Sequence, residues 1–220
     1  MTGSEEAASE TLTPEAFRMA ADVSRETLAR LTAFDHALMD RSQSMNLIGR
    51  STVPDRWRRH YLDSAQLWPL AQKTAIDWLD LGSGAGFPGL VLAAIGAERP
   101  GFQMRLVEKS PKKAVFLRDA AARVGGDISV LNIPLGVGDQ RPRDARPDVL
   151  TARAFAPLPR LFALAESFVG PDTALLLPKG RDVEAELTEA SKSWMFDLAR
   201  HPSCTNPDGV ILEIRRLRRG

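Results

Sequence analysis

The sequence predicts an α/β fold in which a mostly parallel sheet carries helices on both faces. From Ala75 onwards, short apolar runs alternate with segments of helical periodicity, which is typical of βαβ units. A glycine-rich loop follows the first of these runs. The last two runs have no strong helix between them, which indicates an antiparallel pair at one edge of the sheet.

The elements of this core are predicted from periodicity and from helix-start residues. Strands are expected at 76–81, 102–108, 128–133, 148–153 and 173–179, with closing strands at 194–200 and 209–217. Helices are expected at 88–96, 111–124 and 158–168, and the first two of these begin with proline.

The segment before the sheet is predicted to be helical. Thr13 is placed as an N-cap before Pro14, and Pro54 is expected to begin a further helix that ends near Pro69. A core-facing stripe at helical spacing contains Leu28, Leu31, Phe34 and Leu38.

Three units follow from these predictions. We expect a disordered acidic tail at 1–13, a helical subdomain at 14–72 and the sheet-containing core at 73–220.

Composition excludes several classes of protein. A single cysteine, Cys204, allows no disulfide within the chain, and the three scattered histidines give no zinc-type spacing. The N-terminus lacks the pattern of a signal peptide, and no apolar run approaches the ~20 residues of a membrane span. We therefore expect a soluble cytoplasmic protein.

Positive charge is clustered although the net charge is only +1. The clusters are Arg50, Arg56, Arg58 and Arg59, then Lys109, Lys112, Lys113 and Arg118, and finally Arg215, Arg216, Arg218 and Arg219. Such clusters hold RNA phosphates in some proteins, but for each one alone a solvated surface is the favoured interpretation.

A glycine-rich loop at 79–89, LDLGSGAGFPG, joins the first predicted strand to the next helix. In open α/β sheets, ligands bind beyond the carboxyl ends of the strands. Gly82, Gly84 and Gly86 permit sharp turns and the close approach of a ligand, and the amides that open the helix can receive an anionic group. The loop is therefore a predicted cofactor site.

Two cofactors fit this loop. Residues 82–86 match the GxGxG loop of methyltransferases that use S-adenosylmethionine (SAM), and residues 84–89 match the GxGxxG dinucleotide fingerprint. Asp80 favours SAM, because it lies two residues before Gly82, as in methyltransferases, where an acid at that position helps to orient the cofactor. The dinucleotide interpretation would end the strand inside the glycine run. Glu108, at the end of the second strand, is predicted to accept hydrogen bonds from the ribose hydroxyls of either cofactor.

Five short motifs stand in one order along the chain. They are MNLIG at 45–49, RHYLDS at 59–64, the glycine loop at 79–89, TARAFAPL at 151–158 and PKG at 178–180. In this order they resemble the motifs of the RsmG (GidB) family of ribosomal RNA methyltransferases, over residues 45–179. The glycine loop alone is common to many methyltransferases, whereas the ordered set is specific.

The resemblance implies a class I SAM-dependent methyltransferase core, a Rossmann-like sheet of seven mostly parallel strands with the last antiparallel. It implies SAM as methyl donor and N7 of guanine 527, in the 530 loop of 16S ribosomal RNA, as acceptor. The implied partner is 16S rRNA, the small ribosomal subunit or an assembly intermediate. We separately expect a monomer that does not associate with membranes. By match with the family, cofactor contacts fall on Gly82, Phe87, Leu135, Gly136 and Arg153.

The chain departs from the family pattern after the third strand. Pro134 and Gly136 stand where the family usually has Arg and Glu, so a contact that needs the glutamate side chain is lost. A backbone amide of this segment can still bind the adenine edge.

The implied chemistry needs little from the protein beyond positioning. Guanine N7 has a free lone pair, so no general base is required and none stands out in the sequence. Positioning supplies on the order of 7–11 kcal/mol when the reacting atoms are held at attack distance. Arg153 is the predicted catalytic residue, because its planar fork suits guanine O6 or the cofactor carboxylate. RNA contacts are predicted at Arg58, Arg59, His60 and Lys179, and no metal is expected.

Three other functions stay open from the sequence. A methyltransferase for a small molecule or a protein would bind RNA weakly and without salt dependence. An NAD-dependent oxidoreductase would bind NADH in competition with SAM. A non-catalytic binding module would bind ligand and transfer nothing.

Overall fold

A seven-stranded sheet organises the chain in a computed structural model that describes residues 11–134, 136 and 146–220. Its strands are β1 (Asp77–Leu81), β2 (Gln103–Val107), β3 (Asp127–Leu131), β4 (Val149–Thr151), β5 (Ala174–Lys179), β6 (Trp194–Pro202) and β7 (Val210–Arg219). The strand order is β3-β2-β1-β4-β5-β7-β6, and β7 runs in the opposite direction to the other six strands. This confirms the predicted fold class, including the antiparallel closing pair.

Helices precede the sheet and connect its strands. They are α1 (Pro14–Ala20), α2 (Arg25–Ser42), α3 (Asp63–Ala65), α4 (Gly89–Gly96), α5 (Pro111–Val124), α6 (Leu158–Ala165) and α7 (Val183–Ala190). A π-helix at Trp57–Leu62 leads directly into α3, and short 3₁₀ turns lie at Arg50–Thr52 and Trp68–Leu70. The α5 bounds agree with the prediction at both ends.

The start of α1 confirms the predicted cap, because the Thr13 hydroxyl accepts a hydrogen bond from the Ala16 N–H. The prediction that Pro54 begins a helix is wrong. Pro54 lies in a turn closed by the Arg56 N–H and the Val53 carbonyl, and helical bonding starts at the Asp55 carbonyl, which accepts from two following amides. The helix therefore begins later than the proline.

The sheet is covered by one apolar layer on each face. On one face α1, α2, α4 and α5 pack together, and the α2 stripe lies within this layer with Leu31, Phe34 and Leu38 fully buried. On the other face α6 and α7 cover the sheet around Leu79 and Phe162. Because the N-terminal helices share a continuous core with α4 and α5, the division of the chain at residue 72 stays a prediction.

The α7 helix was not predicted from the sequence. Its residues Val183, Leu187 and Ala190 are nevertheless buried at the spacing of one helix face.

Within the described ranges, no helix has the length and apolar character needed to cross a bilayer.

Candidate active site

The glycine loop after β1 forms one wall of a cavity of about 770 Å³, here called the loop cavity. Gly82, Gly84 and Phe87 line it on the side of the sheet. The opposite wall comes from the segment 47–49 and from the π-helix, so the N-terminal helices cover the carboxyl end of the sheet.

Two glycines of the loop have different reasons for lacking a side chain. Gly82 has φ +72°, and a Cβ there would lie 2.2 Å from Cδ2 of Phe155. Gly84 has φ +56°, and a Cβ there would meet only the Gly82 carbonyl oxygen, at 3.6 Å. The first glycine therefore admits the Phe155 ring, whereas the second leaves room at the wall of the cavity.

The third glycine and the adjoining aromatic residue connect the loop to the helices. A Cβ at Gly86 would lie 2.5 Å from Leu90 and 3.0 Å from Phe34 of α2. Phe87 is buried, and its ring centroid lies 5.2 Å from Phe34 and 5.1 Å from Tyr61. Gly86 therefore lies beneath the loop, and Phe87 both lines the cavity and anchors the loop to the N-terminal helices.

Asp80 lies under the loop and does not line the cavity. It is fully buried, and its Oδ1 accepts a hydrogen bond of 2.8 Å from the Thr151 hydroxyl. Its Oδ2 has no hydrogen-bond partner within the described ranges and faces the start of α4. Burial raises the pKa of Asp80 to about 6, although the Thr151 hydrogen bond acts in the opposite direction. Any effect of Asp80 on a cofactor is therefore transmitted through the loop.

Glu108 follows β2 directly and is buried rather than exposed beside Lys109. Its Oε2 accepts from the Gly84 N–H at 2.9 Å, and its Oε1 accepts from the Ser110 N–H at 2.7 Å. The carboxylate therefore joins the glycine loop to the start of α5. Its predicted contact with ribose hydroxyls stays a prediction.

A second cavity of about 600 Å³ lies beyond the ends of β4 and β5 and is here called the outer cavity. Its wall includes Phe155, Lys179 and the loop between β6 and β7. The two cavities share four lining residues, Asp63, Arg153, Ala154 and Asn206. Arg153 therefore stands at their junction.

The Arg153 guanidinium is held by the segment that carries the RHYLDS motif. Nη1 donates to Oδ2 of Asp63 at 3.2 Å and to the carbonyl of Arg59 at 3.1 Å. Nη2 lies 3.1 Å from Nδ1 of His60, and the guanidinium carbon lies 5.3 Å from the centroid of the Phe87 ring. Three of the motifs recognised in the sequence thus meet at one side chain.

His60 lies between Arg153 and Thr52. Its ring stacks on Phe87 at 5.1 Å between centroids, and its Nε2 lies 2.9 Å from the Thr52 hydroxyl. Burial, together with the charges of Arg153 and Arg59, lowers the pKa of His60 to about 4. The ring is therefore neutral at physiological pH.

Asp63 connects Arg153 to the loop between β6 and β7. Its Oδ1 accepts from Nε2 of Gln66 at 2.9 Å and from the Thr205 hydroxyl at 2.7 Å. Gln66 also accepts the Cys204 N–H at 2.9 Å. Sequence reasoning missed Gln66 and Thr205, because no local pattern connects residues so far apart in the chain.

The predicted RNA contacts occupy two different surroundings. Arg58 and Arg59 line the loop cavity, and Arg59 is exposed. The Lys179 ammonium instead donates to Oε2 of Glu186 at 2.7 Å and to the Ala156 carbonyl at 3.1 Å, with only 12% of its side chain exposed. Its charge is already matched by a carboxylate, and its contact with RNA phosphate stays a prediction.

Two residues predicted to contact the cofactor follow β3 in the sequence. Leu135 falls outside the described residues, and Gly136 is exposed. Among the described residues, no cluster of three or more potential metal-binding side chains occurs.

The end of β1 distinguishes the two cofactors considered from the sequence. The strand ends at Leu81, before the first glycine, which agrees with the SAM interpretation rather than with the dinucleotide one. Room beside Gly84, a buried acid after β2 and an antiparallel last strand also fit SAM. The fold and the loop define the chain as a class I SAM-dependent methyltransferase.

The comparisons with known proteins make this class more specific. The family model described as rRNA small subunit methyltransferase G matches residues 27–211, and the chain belongs to this family. Relatives named ribosomal RNA small subunit methyltransferase G occur in Parvibaculum lavamentivorans and Brucella canis. The first is 45% identical over 203 residues, covering 92% of this chain and 89% of the relative. The second is 47% identical over 202 residues, covering 90% and 91%.

Solved structures with lower sequence identity share the fold. An O-methyltransferase from Bacillus cereus in complex with SAH has a TM-score of 0.55 at 13% identity, covering 84% of this chain and 90% of its own. A ribosomal protein L11 methylase from Lactobacillus delbrueckii subsp. bulgaricus has a TM-score of 0.52 at 19% identity, covering 70% and 76%. These likenesses agree with the seven-stranded class I methyltransferase core.

Proposed function

We propose that this chain transfers a methyl group from SAM to N7 of guanine 527, in the 530 loop of 16S rRNA. The family and its named relatives support small-subunit rRNA as the substrate. The choice of a ring nitrogen depends on one observation, which is that the polar groups at the junction of the two cavities are already engaged.

Neither His60 nor Asp63 is available to remove a proton from an acceptor. Nδ1 of His60 accepts from Arg153, and the carboxylate of Asp63 accepts from Arg153, Gln66 and Thr205. An exocyclic amine or a hydroxyl group must lose a proton during methylation, whereas guanine N7 attacks with a free lone pair. The junction therefore suits an acceptor that needs no general base.

The two cavities provide separate places for donor and acceptor. We assign SAM to the loop cavity, with Gly82, Gly84, Phe87 and Glu108 as the residues that would hold it. SAM supplies a methyl group bonded to a positively charged sulfur. We assign the acceptor base to the outer cavity, where the half-exposed Phe155 ring offers a face for stacking. Arg153 stands between them and would orient guanine through O6 or the cofactor through its carboxylate.

The RNA backbone is assigned to the cations at the mouth of the loop cavity. Arg58, Arg59 and Lys113 line the loop cavity and are here called the mouth cluster. Arg59 and Lys113 have no salt-bridge partner among residues 11–134, 136 and 146–220. Contacts of this kind weaken steeply with salt, and the target base must leave its stack to reach the outer cavity.

The partner is 16S rRNA, alone, in the small ribosomal subunit or in an assembly intermediate, and the enzyme acts on it as a monomer in the cytoplasm. One assay tests both the reaction and the form of rRNA that is methylated. The protein is incubated with methyl-labelled SAM and with each of the three RNA forms, which are taken from cells that lack the enzyme. The modified nucleotide is then mapped. Label at N7 of guanine 527 supports the proposal, and label elsewhere or on no RNA contradicts it.

Arg153→Ala tests the junction within that assay. We expect kcat/KM to fall about 100-fold, because a small misplacement of reacting groups costs that much. Arg181→Ala is the matched control, since Arg181 is a highly exposed arginine that is paired with Asp208 outside the loop cavity. Equal activity of the two variants would remove Arg153 from the site.

A further inference from the structure

The hydrogen bonds around His60 follow one direction. A guanidinium only donates hydrogen bonds, so Nδ1 of His60 must accept from Arg153. Nε2 then carries the ring proton and donates it to the Thr52 hydroxyl at 2.9 Å. Thr52 in turn donates to the carbonyl of Gly49 at 2.7 Å. The chain of bonds therefore runs from Arg153 to the MNLIG segment and fixes one tautomer of the ring.

The surroundings of the ring favour its neutral form. Two guanidinium groups face it, those of Arg153 and Arg59, and the carboxylate of Asp63 is bound to Arg153. Phe87 covers one face of the ring. A protonated His60 would place an N–H donor against the Arg153 donor, so the contact exists only while Nδ1 carries no proton.

We propose that His60 is a positioning residue for methyl transfer, which holds Arg153 at the junction of the two cavities through its unprotonated Nδ1. This inference rests on the proposed function, because it assigns His60 to the geometry of the reaction. It differs from the RNA contact predicted from the sequence, for which a phosphate-binding histidine would be exposed and charged.

Two substitutions of His60 separate its two nitrogen atoms. In His60→Asn, the amide oxygen takes the place of Nδ1 and accepts from Arg153, but nothing reaches Thr52. In His60→Gln, the amide nitrogen takes the place of Nε2 and donates to Thr52, but no acceptor faces Arg153. The matched control is His36→Gln, because His36 is exposed on α2.

We expect His60→Gln to lower kcat on the 16S rRNA substrate about 100-fold, with KM for RNA and Kd for SAM within about 2-fold of wild type. His60→Asn should keep kcat within about 10-fold of wild type. Equal losses in the two variants would overturn the inference. A raised KM for RNA with a smaller salt dependence would also overturn it, because that result identifies an RNA contact.

A measurement that does not depend on enzymatic activity separates this inference from the proposed function. Nitrogen-15 NMR of the wild-type protein should show His60 with a proton on Nε2 and none on Nδ1 at pH 7, and the neutral form should persist at pH 5.5. Thr52→Val, which keeps the side-chain shape, should weaken the preference for this tautomer. A charged ring or a proton on Nδ1 would overturn the inference even if guanine N7 is methylated, and the expected tautomer would stand even if the substrate were another RNA.

Discussion

Two regions rich in arginine lie in opposite electrostatic surroundings. On the ribbon formed by β6 and β7, carboxylates pair with most of the arginines: Arg200 with Glu184 at 2.5 Å, Arg215 with Glu213 at 2.8 Å, Arg219 with Glu166 at 2.7 Å, and Arg216 with Asp197. In the mouth cluster, the shortest distance from Arg58 to Asp55 is 3.7 Å. Arg59 and Lys113 have no such pair within the part of the chain that the structure describes.

A cluster of basic residues in the sequence therefore does not by itself establish a positively charged surface. The arginines at the end of the chain and those near residue 58 look alike in composition. In the second group Arg56 is paired with Asp35, whereas Arg59 is exposed and lines the loop cavity. Exposed ion pairs such as those of the ribbon contribute about 0–1 kcal/mol each, so their consequence is neutralisation more than stability. RNA phosphates should therefore bind at the mouth and not at the ribbon.

The largest effect is expected from reversing charge at the mouth. Arg59→Glu with Lys113→Glu should weaken binding of 16S rRNA roughly 10- to 100-fold at physiological salt, and it should reduce the slope of log affinity against log salt by about 2. The measurement is a binding titration at several salt concentrations, with SAM binding as the check on folding. An unchanged salt slope would show that the phosphates bind elsewhere.

A smaller effect should come from removing two carboxylates that pair with arginines of the ribbon. Glu166→Gln with Glu184→Gln releases Arg219 and Arg200 from their partners and makes this surface more positive. Non-specific RNA affinity should then rise by about 2- to 5-fold at low salt, and the rise should disappear at high salt. No gain in affinity would mean that the ribbon is too far from bound RNA to matter.

The smallest effect is expected from removing the ribbon arginines themselves. Arg200→Ala with Arg219→Ala should change RNA affinity less than about 2-fold, because both charges are already neutralised. Chemical denaturation should show at most a small loss of stability, because both ion pairs are exposed to solvent. A large loss of RNA affinity would instead identify the ribbon as part of the RNA-binding surface.

Most of the fold was predictable from the sequence, because the residues that start and end its helices and the apolar periodicity give strong local signals. The α5 helix agrees at both ends, since Ser110 and Pro111 mark its start and Gly125 follows its end. The antiparallel closing pair was predicted from the missing helix between its strands. The short α7 helix was missed, since it has a narrow apolar face and no capping hydrogen bond from a side chain.

Residues of the candidate active site were predictable only where they belong to a recognised sequence motif. The resemblance pointed to Arg153, His60 and the glycine loop, and the structure brings them together. The pairing of Lys179 with Glu186 was not predictable, because Glu186 belongs to the helix that the pattern did not reveal. The bond from Thr205 to Asp63 joins residues 142 positions apart, which no periodicity detects.

The hydrogen bonds that position Arg153 come from residues that are distant in the sequence, which bears on the order in which the site forms during folding. Its anchors at Arg59, His60 and Asp63 lie 90 to 94 positions earlier in the chain, and Asp63 is itself fixed from beyond β6. Contacts of such high sequence separation form late, because the chain must first lose the entropy of closing those loops. Anchoring of Arg153, and with it completion of the site, is therefore expected among the last steps of folding.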